Sequence, residues 1–141
     1  MYKQILLPVD LEDDDSWRRA LPVAAEYAKA FDATLHVMTV VPDFGMSVVG
    51  SFFPKGFAEK AIAETGTRLH AFVDANIPDG IAVQHVVKHG RVYEEIIHSA
   101  NELDVDLIVI SAHHPDASDF LLGPNAARVA RHAEQSVLIV R

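Results

Sequence analysis

The chain has 141 residues, half of them hydrophobic, and 20 Asp and Glu against 12 Lys and Arg give it a formal charge of -8. That length suits one domain, spanning 1–141, with a core of its own, and the negative balance repels phosphate backbones and anionic lipid, which argues against nucleic-acid and membrane-surface functions. With no cysteine, disulfides, thiolate nucleophiles and Cys-ligated zinc are excluded.

In chain order, Met1 to Lys3 lead directly into the apolar run Ile5-Leu6-Leu7-Pro8-Val9. This start has no basic region, long apolar stretch or small-residue cleavage site of a signal peptide, and no run is long enough for a membrane helix, so a cytoplasmic protein is expected. Trp17, Leu21, Ala24, Ala28 and Phe31 fall on one helical stripe. Pro22 within it predicts a helix that starts late or kinks. A second apolar run, Leu35 to Val41, precedes an irregular stretch, Pro42 to Lys55, whose Met46, Val48, Val49, Phe52 and Phe53 need a partner, as a loop folded onto its own domain or as a lid or interface element. Ile62, Thr65, Leu69, Phe72 and Val73 mark a second helix, and Ile81 to Val87, interrupted by Gln84 and His85, reads as a strand near one edge. Val92, Ile96, Ala100 and Leu103 mark a third helix, Leu107 to Ile110 a fourth strand, Ala126, Val129, Ala130 and Ala133 a short fourth helix, and Val137 to Val140 a fifth strand.

Strands apolar on both faces and separated by helices predict an α/β fold: an open, doubly wound, five-stranded parallel sheet covered on both sides. In such sheets a ligand lies at the carboxyl ends of the strands, where the winding reverses. Those ends are Pro8-Val9-Asp10, Val37 to Pro42, and Ser111-Ala112-His113-His114, with Gly123-Pro124-Asn125 at the mouth of the last helix. A helix N-terminus attracts anions and a glycine admits a phosphate close to the backbone, although Gly before Pro is also an ordinary helix start. There is no Walker motif and no dinucleotide glycine fingerprint.

Ile5 to Asp10 at the start, and Leu121-Leu122-Gly123 through Val129, His132 and Val137 to Arg141 at the end, resemble the universal stress protein family over the whole chain. The closest resemblance is to a bacterial subgroup in which a His-x-Pro-Asp loop, here His113-His114-Pro115-Asp116, precedes Leu-Leu-Gly-x-Asn-Ala, here Leu121 to Ala126. The resemblance implies strand order 3-2-1-4-5, a homodimer, and a site for ATP or another adenine nucleotide, with or without Mg²⁺. In that site Pro8, Val9 and Asp10 lie beside ribose and phosphate, and Val37 meets the adenine. Ser111, Ala112, His113 and His114, with Gly123, Pro124, Asn125 and Ala126, surround the phosphates. Three departures from the family's ATP pattern each remove something physical. Ser111 adds a Cβ where a glycine is expected, Ala112 to His114 form a shorter loop without glycine, and Pro124 offers neither hydroxyl nor N–H where a small hydroxyl residue is expected.

The function expected is a nucleotide-binding regulatory or stress-response dimer; the alternatives are a weak ATP hydrolase or transferase of the same fold and a scaffold dimer that binds no nucleotide. No catalytic group is singled out: Ser111 and His113 lack a third residue placed to orient the base. No metal site is expected. His113, His114 and Asp116 lack the spacing of a helical or hairpin ligand pair, and Asp10 with Glu12 to Asp15 lacks the acidic residue that a receiver-type Mg²⁺ site needs at the end of the third run, Lys88-His89-Gly90. His36 and His132 read as structural. Val137 to Val140, an apolar edge strand, is expected to pair with its own copy across a two-fold axis.

Overall fold

A computed structural model describes residues 1–42, 56–112 and 122–141. The five strands are β1 (Gln4–Pro8), β2 (Thr34–Pro42), β3 (Ala82–Gly90), β4 (Leu107–Ser111) and β5 (Ser136–Val140). All pair in parallel, in the order β3-β2-β1-β4-β5. The expected order 3-2-1-4-5 is therefore the observed one. The irregular stretch of the sequence falls almost wholly outside the described residues, and so do His113 and His114.

Among the described residues four helices cover the sheet: α1 (Ala20–Phe31), α2 (Phe57–Asn76), α3 (Val92–Glu102) and α4 (Pro124–His132). The alternating side chains of the strands divide between two layers. Ile5, Leu7, Leu35, Val37, Leu107 and Val109 pack with Leu21, Ala24, Ala28, Leu69 and Val73 of α1 and α2. Leu6, Met38, Ile108 and Ile110 pack with Ile96, Ala100, Ala126 and Val129 of α3 and α4. The central strands read as unbroken apolar runs because both of their faces are covered.

Pro22 resolves as a late start. Trp17 lies outside α1, on a short 3-10 turn (Asp14–Ser16 and its cap), and edges onto Phe72 with ring centroids 4.9 Å apart. Helix α1 then begins at Ala20, so Pro22 falls in the first turn, where an N–H has no intrahelical partner to lose. Strand β3 is an edge strand, as its polar interruptions predict, and none of its residues is fully buried. In α4 the apolar stripe is narrower than expected: Ala126 and Val129 are buried and Ala133 packs at its end, but Ala130 is exposed. His36 is buried in β2, with Nε2 2.7 Å from Oε1 of Gln4, so its role is structural. His132 is exposed and lies near the ring of Tyr93, the centroids 6.4 Å apart.

Candidate functional site

Strand β1 pairs with β2 on one side and β4 on the other, so the winding reverses between β1 and β4. A cleft of about 290 Å³ opens there at the carboxyl ends of the strands. Its walls bring together Pro8, Val9 and Asp10 after β1, Ser111 at the end of β4, and Gly123, Pro124, Asn125 and Ala126 at the start of α4. These eight of the expected site residues come from three separate parts of the chain.

Two expected residues take other positions. The side chain of Val37 is fully buried against the α1 and α2 layer, and β2 instead gives Met38, Thr39 and Val40 to the cleft. Any contact from Val37 to a base therefore runs through its main chain. Ala112 is buried beside the cleft; its N–H donates to the carbonyl of Val140 at 2.9 Å and its carbonyl accepts from Gly123 N–H at 3.4 Å. Those bonds tie the end of β4 to β5 and to the mouth of α4.

The turn after β1 is held by its own polar groups. Asp10 N–H donates to Oγ of Ser16 at 2.8 Å, and that hydroxyl donates to the Asp10 carbonyl at 3.2 Å. Glu12 N–H donates to Oδ1 of Asp10 at 3.0 Å, and Asp15 N–H to Oδ1 of Asp13 at 3.1 Å, the side-chain-to-backbone pattern that makes Asp a turn former. The Ser111 hydroxyl donates to the carbonyl of Asp15 at 3.1 Å and so joins this turn to β4. Sequence reasoning did not single out Asp13 and Ser16 as cleft residues, nor Met38, Thr39, Val40, Val92, Ile96 and Ile110. The signal available for Ser16 was its place six residues after Asp10, within reach across a tight turn.

At the other wall, Gly123 caps α4 with φ -59° and Pro124 opens the helix. That φ suits any residue, so what glycine offers here is the missing Cβ and not a special backbone angle. Pro124 has no N–H, Ala127 N–H closes the first turn onto the Gly123 carbonyl at 3.0 Å, and no side chain caps the helix. The amides of Asn125 and Ala126 are thus left to point out of the helix end, into a cleft that both residues line. Such a pair of N–H groups, at the positive end of the helix dipole, can accept an anion. Among the described residues no group of three or more His, Asp or Glu could hold a metal ion, and no helix is long and apolar enough to cross a membrane.

The universal stress protein family model matches residues 1–141. Universal stress protein G of Escherichia coli O157:H7 is 33% identical over 143 residues, covering 100% of both chains. Among solved structures, the universal stress protein UspA from Lactobacillus plantarum superposes with a TM-score of 0.72 at 24% identity, covering 99% of this chain and 98% of its own. A universal stress protein crystallised in complex with cAMP gives a TM-score of 0.62 at 25% identity, covering 99% and 97% of the two chains. A family match along the whole length, a relative at one-third identity and the same sheet order agree, and the chain belongs to the universal stress protein family.

Proposed function

We propose that the chain is a cytoplasmic regulatory or stress-response protein that binds an adenine nucleotide, with or without Mg²⁺, between the carboxyl ends of β1 and β4. The observation that carries this reading is the meeting of the open amides of Asn125 and Ala126 with the polar turn at Asp10 across one cleft. The relative bound to cAMP supports it by precedent. The contacts are mostly to backbone, with Pro8 to Asp10 beside the ribose, the main chain of Val37 toward the base, and Ser111 to His114 with Gly123 to Ala126 around the phosphate. Asp10→Ala weakens binding by removing an acceptor for ribose hydroxyls. Titration calorimetry with AMP, ADP and ATP tests the reading; no heat and no thermal shift with any of them at millimolar ligand refutes it.

The same proposal includes a homodimer through Val137 to Val140. Strand β5 is at the sheet edge, and among the described residues no strand pairs with its outer side. An apolar edge of this kind is a template for uncontrolled pairing unless something covers it, and antiparallel pairing with its own copy closes the assembly at two. Leu138→Asp or Ile139→Asp splits the dimer by placing an unpaired charge in the interface. Light scattering after gel filtration decides it, since a monomer at micromolar concentration, or a dimer indifferent to both substitutions, rules the interface out.

A further inference from the structure

We propose that His70 of α2 and His85 of β3 form a proton-operated latch, closed at neutral pH and released in mild acid, that holds α2 on the edge strand and through it bears on the turn after β1. The two rings lie stacked, their centroids 3.6 Å apart and their planes 16° from parallel. His70 is exposed and His85 half-buried, so the pair spans the seam where α2 covers the edge of the sheet. Nε2 of His85 is buried and finds no hydrogen-bond partner among the described residues. A neutral imidazole carries a hydrogen on one nitrogen, but an imidazolium carries one on both. Charging His85 in the closed arrangement therefore buries an N–H with neither water nor an acceptor beside it, a cost that disappears once the ring reaches solvent.

The surrounding charges offset only part of this cost. Burial and then the His70 ring hold His85 below its ordinary value of 6.5, and Asp74, one turn beyond His70 on α2, opposes them. One proton on the pair thus has a carboxylate to answer it, whereas a second sets two positive rings face to face at 3.6 Å. Strand β2, in register beside β3, presents Leu35, Val37, Thr39 and Val41 to this layer and no charge. His89 shares the face of His85, four residues along β3, while Lys88 has the opposite parity and pairs with Glu102 of α3 at 3.0 Å. The closed latch therefore binds fewer protons than the open one, and it is complete above pH 6.5 and weakens as the pH falls beneath that value. Two contacts carry the state of α2 to the turn after β1: the ring of Trp17 edges onto Phe72, and Arg68 pairs with Glu12 at 2.6 Å. Trp17 is the only tryptophan in the chain, so its emission reports whether α2 is in place.

Trp17 emission and hydrogen exchange read by mass spectrometry, compared at about pH 7.5 and about pH 5.0, test the latch without any ligand. In acid the emission shifts to the red, and the protection of α2 amides, corrected for the intrinsic pH dependence of exchange, falls about tenfold more than that of β1 and β4. His70→Phe keeps a ring over His85 and removes one of the two charges; His85→Phe puts in nearly the same space a ring that cannot be charged. Each variant reduces the acid response of α2 to about threefold or less. Equal protection of α2 at both pH values overturns the proposal, as does a loss shared in full by β1 and β4, which is global unfolding. A full response retained in either variant also overturns it, because the proton then acts on another group. Lost protection in α2 with unchanged emission overturns the link to the turn after β1.

Discussion

Strand β1 and the turn that follows it are adjacent in sequence and opposite in physics. Ile5, Leu6 and Leu7 are 0% exposed and pack into the two core layers. Three residues later, Asp10 is exposed, its main chain and carboxylate are bound to Ser16 and Glu12, and it faces a cleft. Both stretches are ordered, but by different interactions: area removed from water in the strand, and short-range hydrogen bonds in the turn. The lesson is that the residues that stabilise the core and those proposed to meet the ligand occupy a strand and the turn directly after it, so substitutions a few residues apart should separate the two properties.

The sharpest way to break the comparison is Leu6→Ala, which leaves a cavity between β1 and the α3 and α4 layer. It should cost about 2–5 kcal/mol of stability by denaturant unfolding, and nucleotide affinity at temperatures where the variant stays folded should barely change. Gly123→Val is the reverse case. Its φ of -59° accepts valine, so the thermal midpoint should move little, whereas the branched side chain at the helix mouth should weaken AMP by about tenfold, about 1.4 kcal/mol, in calorimetry. Pro124→Ser restores an N–H and adds a hydroxyl at that mouth, and should tighten AMP and ATP by about 1 kcal/mol, the net worth of one hydrogen bond. Unchanged affinity there would move the phosphate away from α4.

The smallest effect expected is a loss of stability in mild acid, and it belongs to the core side of the comparison. Burial holds His36 below its ordinary value of 6.5. Burial likewise lowers His85, helped by the ring of His70 stacked 3.6 Å away and opposed by Asp74. The folded protein then binds fewer protons than the unfolded chain below pH 6.5, so stability is complete above that value and declines as the pH falls beneath it. Thermal midpoints measured between about pH 7.5 and about pH 5.5 should fall, and a flat profile would show that neither ring is held neutral by the fold.

The chain's own pattern was enough to locate all five strands within one to three residues, because four are apolar runs bounded by turn formers, and the polar interruptions of β3 marked it as an edge. It also placed the mouth of α4, since Gly123 before Pro124 is a local signal that needs no tertiary contact. The cleft was legible only in part. Strand β2 is apolar on both faces, so nothing in its period of two tells which parity faces α3, and the expected Val37 looks toward α1 and α2 while Met38 and Val40 look toward the cleft. The walls supplied by Val92 and Ile96, and the bond from Ser111 to Asp15 across 96 residues of sequence, arise only when β4 is laid beside β1. Composition and periodicity determined which segments would be buried, since burial follows from each segment's own hydrophobicity. The pairing of strands distant in sequence decided which of their residues would meet, because that depends on register and layer and not on any residue alone.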